Sequence, residues 1–207
     1  MDLEKLSASV RETLDAKNAA REKGLPLCRK AIRLSANAIR AVHRDEKDTA
    51  EKLIEEARAC LDEAKESMAE HPDIRYAGFF HDSAKEYAEA RLTHALVFNL
   101  SFPSPTDIGV EVPAYLNGLG ETIGELRRHV LDLMRHGELE RSERLLEAMD
   151  EIYYLLTSMD YPDGMTGGLR RTTDVARSII ERTRGDLSTT LIQQKLISSL
   201  ERESEGN

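Results

Sequence analysis

Three acids in the segment HDSAKEYAEARLTHALVF, residues 81–98, are spaced so that a helix gathers them: Asp82, Glu86 and Glu89. At about 100° per residue they fall within about 60° of one another. Ala88, Leu92, Ala95 and Leu96 form an apolar arc elsewhere on the same helix, so this helix has much to bury. Lys85 and Arg91 point away from the acid face, and Arg75 lies roughly 10 Å before Asp82 along the axis. Two like charges about 4 Å apart repel by roughly 4 kcal/mol in a moderate dielectric. A covered acid face therefore needs a proton, an arginine from elsewhere, or a divalent cation. Oxygen-only ligands suit Mg2+ or Mn2+. The alternative is a solvated acidic face, since carboxylates are seldom buried. A second acid source is RLLEAMDEIYYLL, residues 144–156. There Leu145, Met149, Ile152 and Leu156 mark a buried stripe, Asp150 sits at its edge, and Glu147 and Glu151 flank it.

The opposite chemistry occurs earlier. LPLCRKAIRLSANAIRAVHR, residues 25–44, contains no acidic residue. Arg29, Arg33, Arg40 and Arg44 fall within about 60° of one another on a helix and make a ridge about 22 Å long. Leu27, Leu34, Ala38 and Val42 lie opposite. Arginine's planar fork suits phosphate, and a ridge of this length can follow several phosphates of a strand. Pairing with acids of neighbouring helices or subunits is the alternative, and an anionic membrane surface is a third.

These groups need elements to position them. The chain has 207 residues, 29 Lys+Arg against 38 Asp+Glu, and a net charge of −9. Such a surface repels nucleic acid on average, so a nucleic-acid role needs a local basic patch or bridging metal ions. Leu, Ala, Glu, Arg and Lys dominate, and β-branched runs and Asn-Gly turns are missing, which predicts an all-α fold. Helical periodicity runs through seven stretches: Leu3–Lys23, Leu27–Arg44, Asp48–Glu70, Ile74–Leu100, 114–136, Glu138–Met159 and Leu169–Leu200. Pro26 either kinks one long helix or starts a second. Gly137 is a C-cap candidate. Short joints between long helices imply an antiparallel, curved bundle. We expect one domain over residues 1–207, with a disordered tail at 202–207. Cys28 and Cys60 lie outside any CxxC or Cys/His cluster, so two buried free thiols are expected. No signal peptide or membrane span is visible, and a cytoplasmic location follows. Gly118, Gly120 and Gly124 lie in a helical pattern and make no phosphate loop. His81-Asp82 is similar to the doublet of histidine–aspartate phosphohydrolases, without the rest of that motif set.

Two segments carry a resemblance. KEYAEA, Lys85 to Ala90, resembles the acidic helix of translin-associated factor X. AYLNGLGETIGELRRHV, followed by LLEAMDEIYYLL, is similar to the translin family's YLxGxxxxxGEL segment and its downstream aspartate helix. The resemblance rests on Tyr115-Leu116, Gly118 and Gly124-Glu125-Leu126 and covers most of the chain. It implies an all-α subunit of a hollow octameric shell. It further implies divalent metal held by interior acids and cleavage of single-stranded RNA. Glu86 and Glu89 match the family's paired glutamates, and Asp150 matches its aspartate. Asp82 joins from its place on the helix face alone.

The expected function is a metal-dependent endonuclease acting on single-stranded RNA, with single-stranded DNA as a second candidate substrate, inside a homo-oligomeric shell. Glu86, Glu89 and Asp150 would hold Mg2+ or Mn2+, with Asp82 as a further ligand. Arg29, Arg33, Arg40 and Arg44 would hold the strand by its phosphates, with little sequence preference. The shell would exclude stable duplexes. Two alternatives stand beside it: a non-catalytic RNA-binding scaffold, and an all-α nucleoside-triphosphate pyrophosphatase using the pairs Glu86/Glu89 and Glu147/Asp150.

Overall fold

The computed structural model describes residues 2–205, and every regular element among them is helical. The helices are α1 (Leu3–His43), α2 (Lys47–Ser67), α3 (Pro72–Arg75), α4 (Gly78–Val97), α5 (Pro105–Ile108), α6 (Val112–Arg135), α7 (Leu139–Thr157), α8 (Asp163–Thr166) and α9 (Leu169–Glu205). Three of them, α3, α5 and α8, are single turns inside the connections. The all-α antiparallel bundle expected from the sequence is present.

The first two periodic stretches are one helix. Pro26 lies inside α1 without ending it. Its ring removes one backbone donor but leaves φ helical. Tertiary packing supports the helix there: Gly24 is buried, and a Cβ at that position would sit 2.7 Å from Met68 Sδ at the end of α2. The stretch read as Ile74–Leu100 is instead divided between α3 and α4. Gly137, at φ 78°, follows the α6 C-cap as expected. The final helix continues through Glu205, and residues 206–207 lie outside the described residues. Cys28 and Cys60 are buried free thiols.

α1 packs on α2 and α4, while α6 packs on α4, α7 and α9. α4 thus lies between two layers. Buried residues surround it, including Ser83, Ala84, Tyr87, Ala88, Ala90, Leu92 and Thr93. Small side chains on such a helix let its neighbours approach closely. α6 brings Leu116, Leu119, Ile123, Leu126 and Val130 into the main core, at helical spacing. Burying a Leu, Ile or Val side chain contributes about 1.5–3 kcal/mol. The proline-rich connection is fixed by a capping box between Ser104 and Asp107 and by the Tyr115 hydroxyl, which donates to the Pro103 carbonyl at 2.8 Å. Among the described residues, no helix is long and apolar enough to cross a membrane.

The two longest helices overrun this core. Leu3, Leu6, Val10 and Leu14 on α1 are exposed, as are Ile192, Leu196, Ile197 and Leu200 on α9. α9 is anchored mainly by its first half, where Leu169, Ala176, Ile180 and Leu187 are buried, with Leu191 packed against the same core.

Candidate metal centre

The site begins with a glycine. A Cβ at Gly118 on α6 would lie 2.7 Å from the Lys85 carbonyl oxygen and 3.1 Å from the Glu89 amide nitrogen of α4. Only a residue without a side chain lets the two backbones cross this closely. Thr122 stays against the crossing by donating its hydroxyl to the Gly118 carbonyl at 2.9 Å. Residues three and seven positions on from Gly118 share its helix face. Those residues are Glu121 and Glu125, so the crossing aims them at the Glu86/Glu89 face of α4.

The outcome is a group of three carboxylates. Oxygens of Glu86, Glu89 and Glu121 lie within 4.8 Å of one another. Glu89 is only 8% exposed. Its carboxylate has no hydrogen bond or ion pair among the described residues. Burial, reinforced by the charges of Glu121, Glu86 and Glu125, pushes its pKa up to about 8. Burial also raises Glu86, with Glu121 and Asp82 adding and Lys85 opposing. The nearby cation is Lys85, whose ammonium is 2.7 Å from Glu121 and 3.7 Å from Glu86. Burial works against that ammonium, yet Glu121 holds its pKa above the ordinary lysine value. One lysine cannot balance three acids. The expectation that Lys85 points away from the acids is thereby corrected: α6 completes the face on the side Lys85 reaches.

Behind the cluster, Glu125 is bonded to His43 Nε2 at 2.5 Å, across from the last turn of α1. His43 in turn faces His129, with ring centroids 6.2 Å apart. Burial lowers the His129 pKa, which favours its neutral form.

The other acids read from the sequence lie elsewhere. Asp82 is exposed and stands outside the group of three, one turn before Glu86. Asp150 is not a member of the group formed by Glu86, Glu89 and Glu121. Both of its oxygens accept from Arg184 of α9 at 2.7 Å, so it already has a full counter-charge. Glu147 is exposed, and the two-pair arrangement of a pyrophosphatase is not assembled. Glu121 was missed by sequence reasoning. The available signal was the glycine three residues before it, in the same segment that carries Gly124-Glu125-Leu126.

The arginine ridge is on the surface of α1. Arg29, Arg33, Arg40 and Arg44 are all exposed. Arg44 pairs with Glu46 at 2.7 Å, and Arg40 donates to Asn37 at 2.7 Å. Arg29 and Arg33 have no acid partner among the described residues.

The residues present fit a divalent cation. A buried carboxylate without a partner, facing two further acids, is costly unless a cation or proton meets it. The donors are all carboxylate oxygens, the set hard cations prefer.

No family model matches the chain. An uncharacterized protein of Methanocaldococcus jannaschii is 32% identical over 188 residues, covering 90% of this chain and 83% of that protein. The solved structure of AfC3PO is 31% identical, with a TM-score of 0.80, and covers 93% of this chain and 98% of its own. A second structure, AfC3PO in complex with duplex RNA, matches with a TM-score of 0.81 over the same shares. The structure of apo-NeC3PO, at 20% identity and a TM-score of 0.74, shares the fold.

Proposed function

This chain belongs to the translin family of C3PO-like proteins, and on that premise we propose that it binds RNA and cuts it by metal-assisted phosphodiester hydrolysis. The observation that carries the reading is the Glu89 carboxylate: buried, unpartnered and set against Glu86 and Glu121. These three residues would hold Mg2+ or Mn2+, with Glu125 behind them, steadied by His43. Held by these residues, a divalent cation would supply Lewis acidity to polarise the phosphodiester, activate water and offset charge on the leaving oxygen. Lys85 lies close enough to neutralise part of the remaining acid charge. Asp150 has no place in this set.

Arg29 and Arg33, lacking acid partners, offer phosphate contacts on a chain of net charge −9. The preferred substrate remains single-stranded RNA, because flexible strands reach a recessed site more readily. The related complex contains duplex RNA, so exclusion of duplexes forms no part of the proposal. The exposed apolar side chains at the start of α1 and the end of α9 support a homo-oligomer, with the octamer of the family as its expected size.

The test uses end-labelled single-stranded RNA, with a duplex of the same sequence beside it. The wild-type chain should cut with Mg2+ or Mn2+ and stop with EDTA. Glu89→Gln should lose more than about 100-fold in rate while keeping the RNA affinity that the wild type shows in EDTA. Retained affinity with no cleavage by the wild type would leave a binding scaffold. Pyrophosphate release from nucleoside triphosphates with RNA intact would replace the nuclease reading.

A further inference from the structure

The acid cluster opens onto a cleft of about 820 Å³ between α4, α6 and the α8–α9 turn. That is within the ~300–1,000 Å³ of ordinary ligand pockets. Glu89 and Glu121 form part of one wall, so anything held at the cluster borders this space. The facing wall is firmly built. Asn117, buried on α6, donates to the Thr166 carbonyl at 2.7 Å and accepts from the Thr172 hydroxyl at 2.8 Å. Gly167 and Gly168 take left-handed φ values of 64° and 82° in the turn between. A Cβ at Gly167 would come within 3.3 Å of His81 Nε2, so the His81 ring sits directly against the turn.

Two basic side chains border this cleft from opposite walls, Lys85 on α4 and Arg171 on α9. Lys85, the lysine of the cleft, is committed to Glu121 and Glu86. Arg171, exposed on the first turn of α9, lines the same cleft and has no ion pair or side-chain hydrogen bond among the described residues. Val175 and Ile179 continue the α9 wall as apolar surface. A free guanidinium, an apolar strip and a metal-binding acid group around one space match the parts of a nucleotide chain: a phosphate, a base and the phosphodiester beside them. The cleft also holds Asp82 and Asp163, so a phosphate entering it without a cation meets mostly negative charge.

We propose that Arg171 forms a phosphate subsite adjoining the acid cluster, holding the nucleotide next to the reacting phosphodiester, and that this subsite fills only once a divalent cation occupies Glu86, Glu89 and Glu121. It rests on the RNA reading above. It separates two contributions to binding: the α1 ridge, independent of metal, and the Arg171 cleft, dependent on it.

The probe is a fluorescent single-stranded RNA with uncleavable linkages, titrated with the full-length protein in Mg2+ and again in EDTA. In Mg2+, Arg171→Gln should weaken affinity about tenfold and reduce the salt slope of log K by about 0.7, the share of one phosphate contact on a single strand. In EDTA it should bind like the wild type. Arg171→Lys should restore the slope. Arg29→Gln should lower the slope under both conditions. An Arg171→Gln slope equal to wild type in Mg2+, or a loss of the same size in EDTA, overturns the subsite. Cleavage is scored separately on ordinary RNA. If the wild type does not cut but the metal-dependent Arg171 effect is present, the nuclease reading fails and the subsite stands. If the wild type cuts and Arg171→Gln changes neither slope nor KM, the subsite fails alone.

Discussion

Glu86, Glu89 and Glu121 make one carboxylate site in this molecule, and Asp150 makes another. Both lie at helix interfaces, yet they do opposite things. In the first, three acids share one lysine, and the deepest of them has no partner. In the second, one aspartate meets one arginine with both oxygens. The contrast shows that acid spacing does not distinguish an unbalanced group of carboxylates from a structural ion pair. What distinguishes them is the balance of charge after the chain has folded. A carboxylate already matched by a guanidinium has little left to offer a metal.

The largest expected effect breaks the comparison outright. Glu121→Gln should reduce cleavage more than about 100-fold, whereas Asp150→Asn should stay within about threefold of wild type, both in single-turnover assays. Equal losses would return Asp150 to the site. Next is the crossing that assembles the first site. Gly118→Ala places a methyl group against the Lys85 carbonyl, and overpacking of this kind costs about 1–3 kcal/mol. Denaturant titration reads the stability, and Mn2+ binding should weaken alongside it. Unchanged Mn2+ affinity would mean that the crossing does not set the acid spacing.

The third prediction concerns pH. Glu89 has a folded-state pKa of about 8, raised above the ordinary carboxylate value. The folded chain therefore holds a proton that the unfolded chain has lost. That contribution to stability is full below the ordinary glutamate range and disappears as pH rises through about 8. Metal-free wild type should melt lower at pH 8.5 than at pH 6, and Glu89→Gln should flatten this difference. Mg2+ should raise the melting temperature more at pH 8.5, because at pH 6 it must displace the proton. A larger Mg2+ effect at pH 6 would contradict the sign. The smallest effect belongs to the second site. Arg184 is 54% exposed and Asp150 25%, so solvent screens their pair. Asp150→Ala should cost no more than about 1 kcal/mol in denaturant titration.

The sequence revealed some of this well and some not at all. Glu86 and Glu89 were readable because both lie on one helix, where three residues of separation is also spatial proximity. The all-α layout was readable from periodicity, although α1 crosses Pro26 without the break that periodicity left open. Glu121 was not readable as a ligand, since its own helix gives it no special face. Only the approach of α4 at Gly118 makes it one. Asp150 was misassigned for the complementary reason: its neutralising partner lies 34 residues away on α9, and no local pattern announces that pairing. Gly118 and Gly120 form no phosphate loop, yet both mark helix crossings, the second against Thr172 of α9.

In the proposed homo-oligomer, the overrunning ends of α1 and α9 would make stability a property of the population as well as of the chain. Dilution should strip cover from Leu3, Leu6, Val10 and Leu14 and from Ile192, Leu196, Ile197 and Leu200. The melting temperature should then climb with protein concentration, as mass action requires of any fold completed by its own copies.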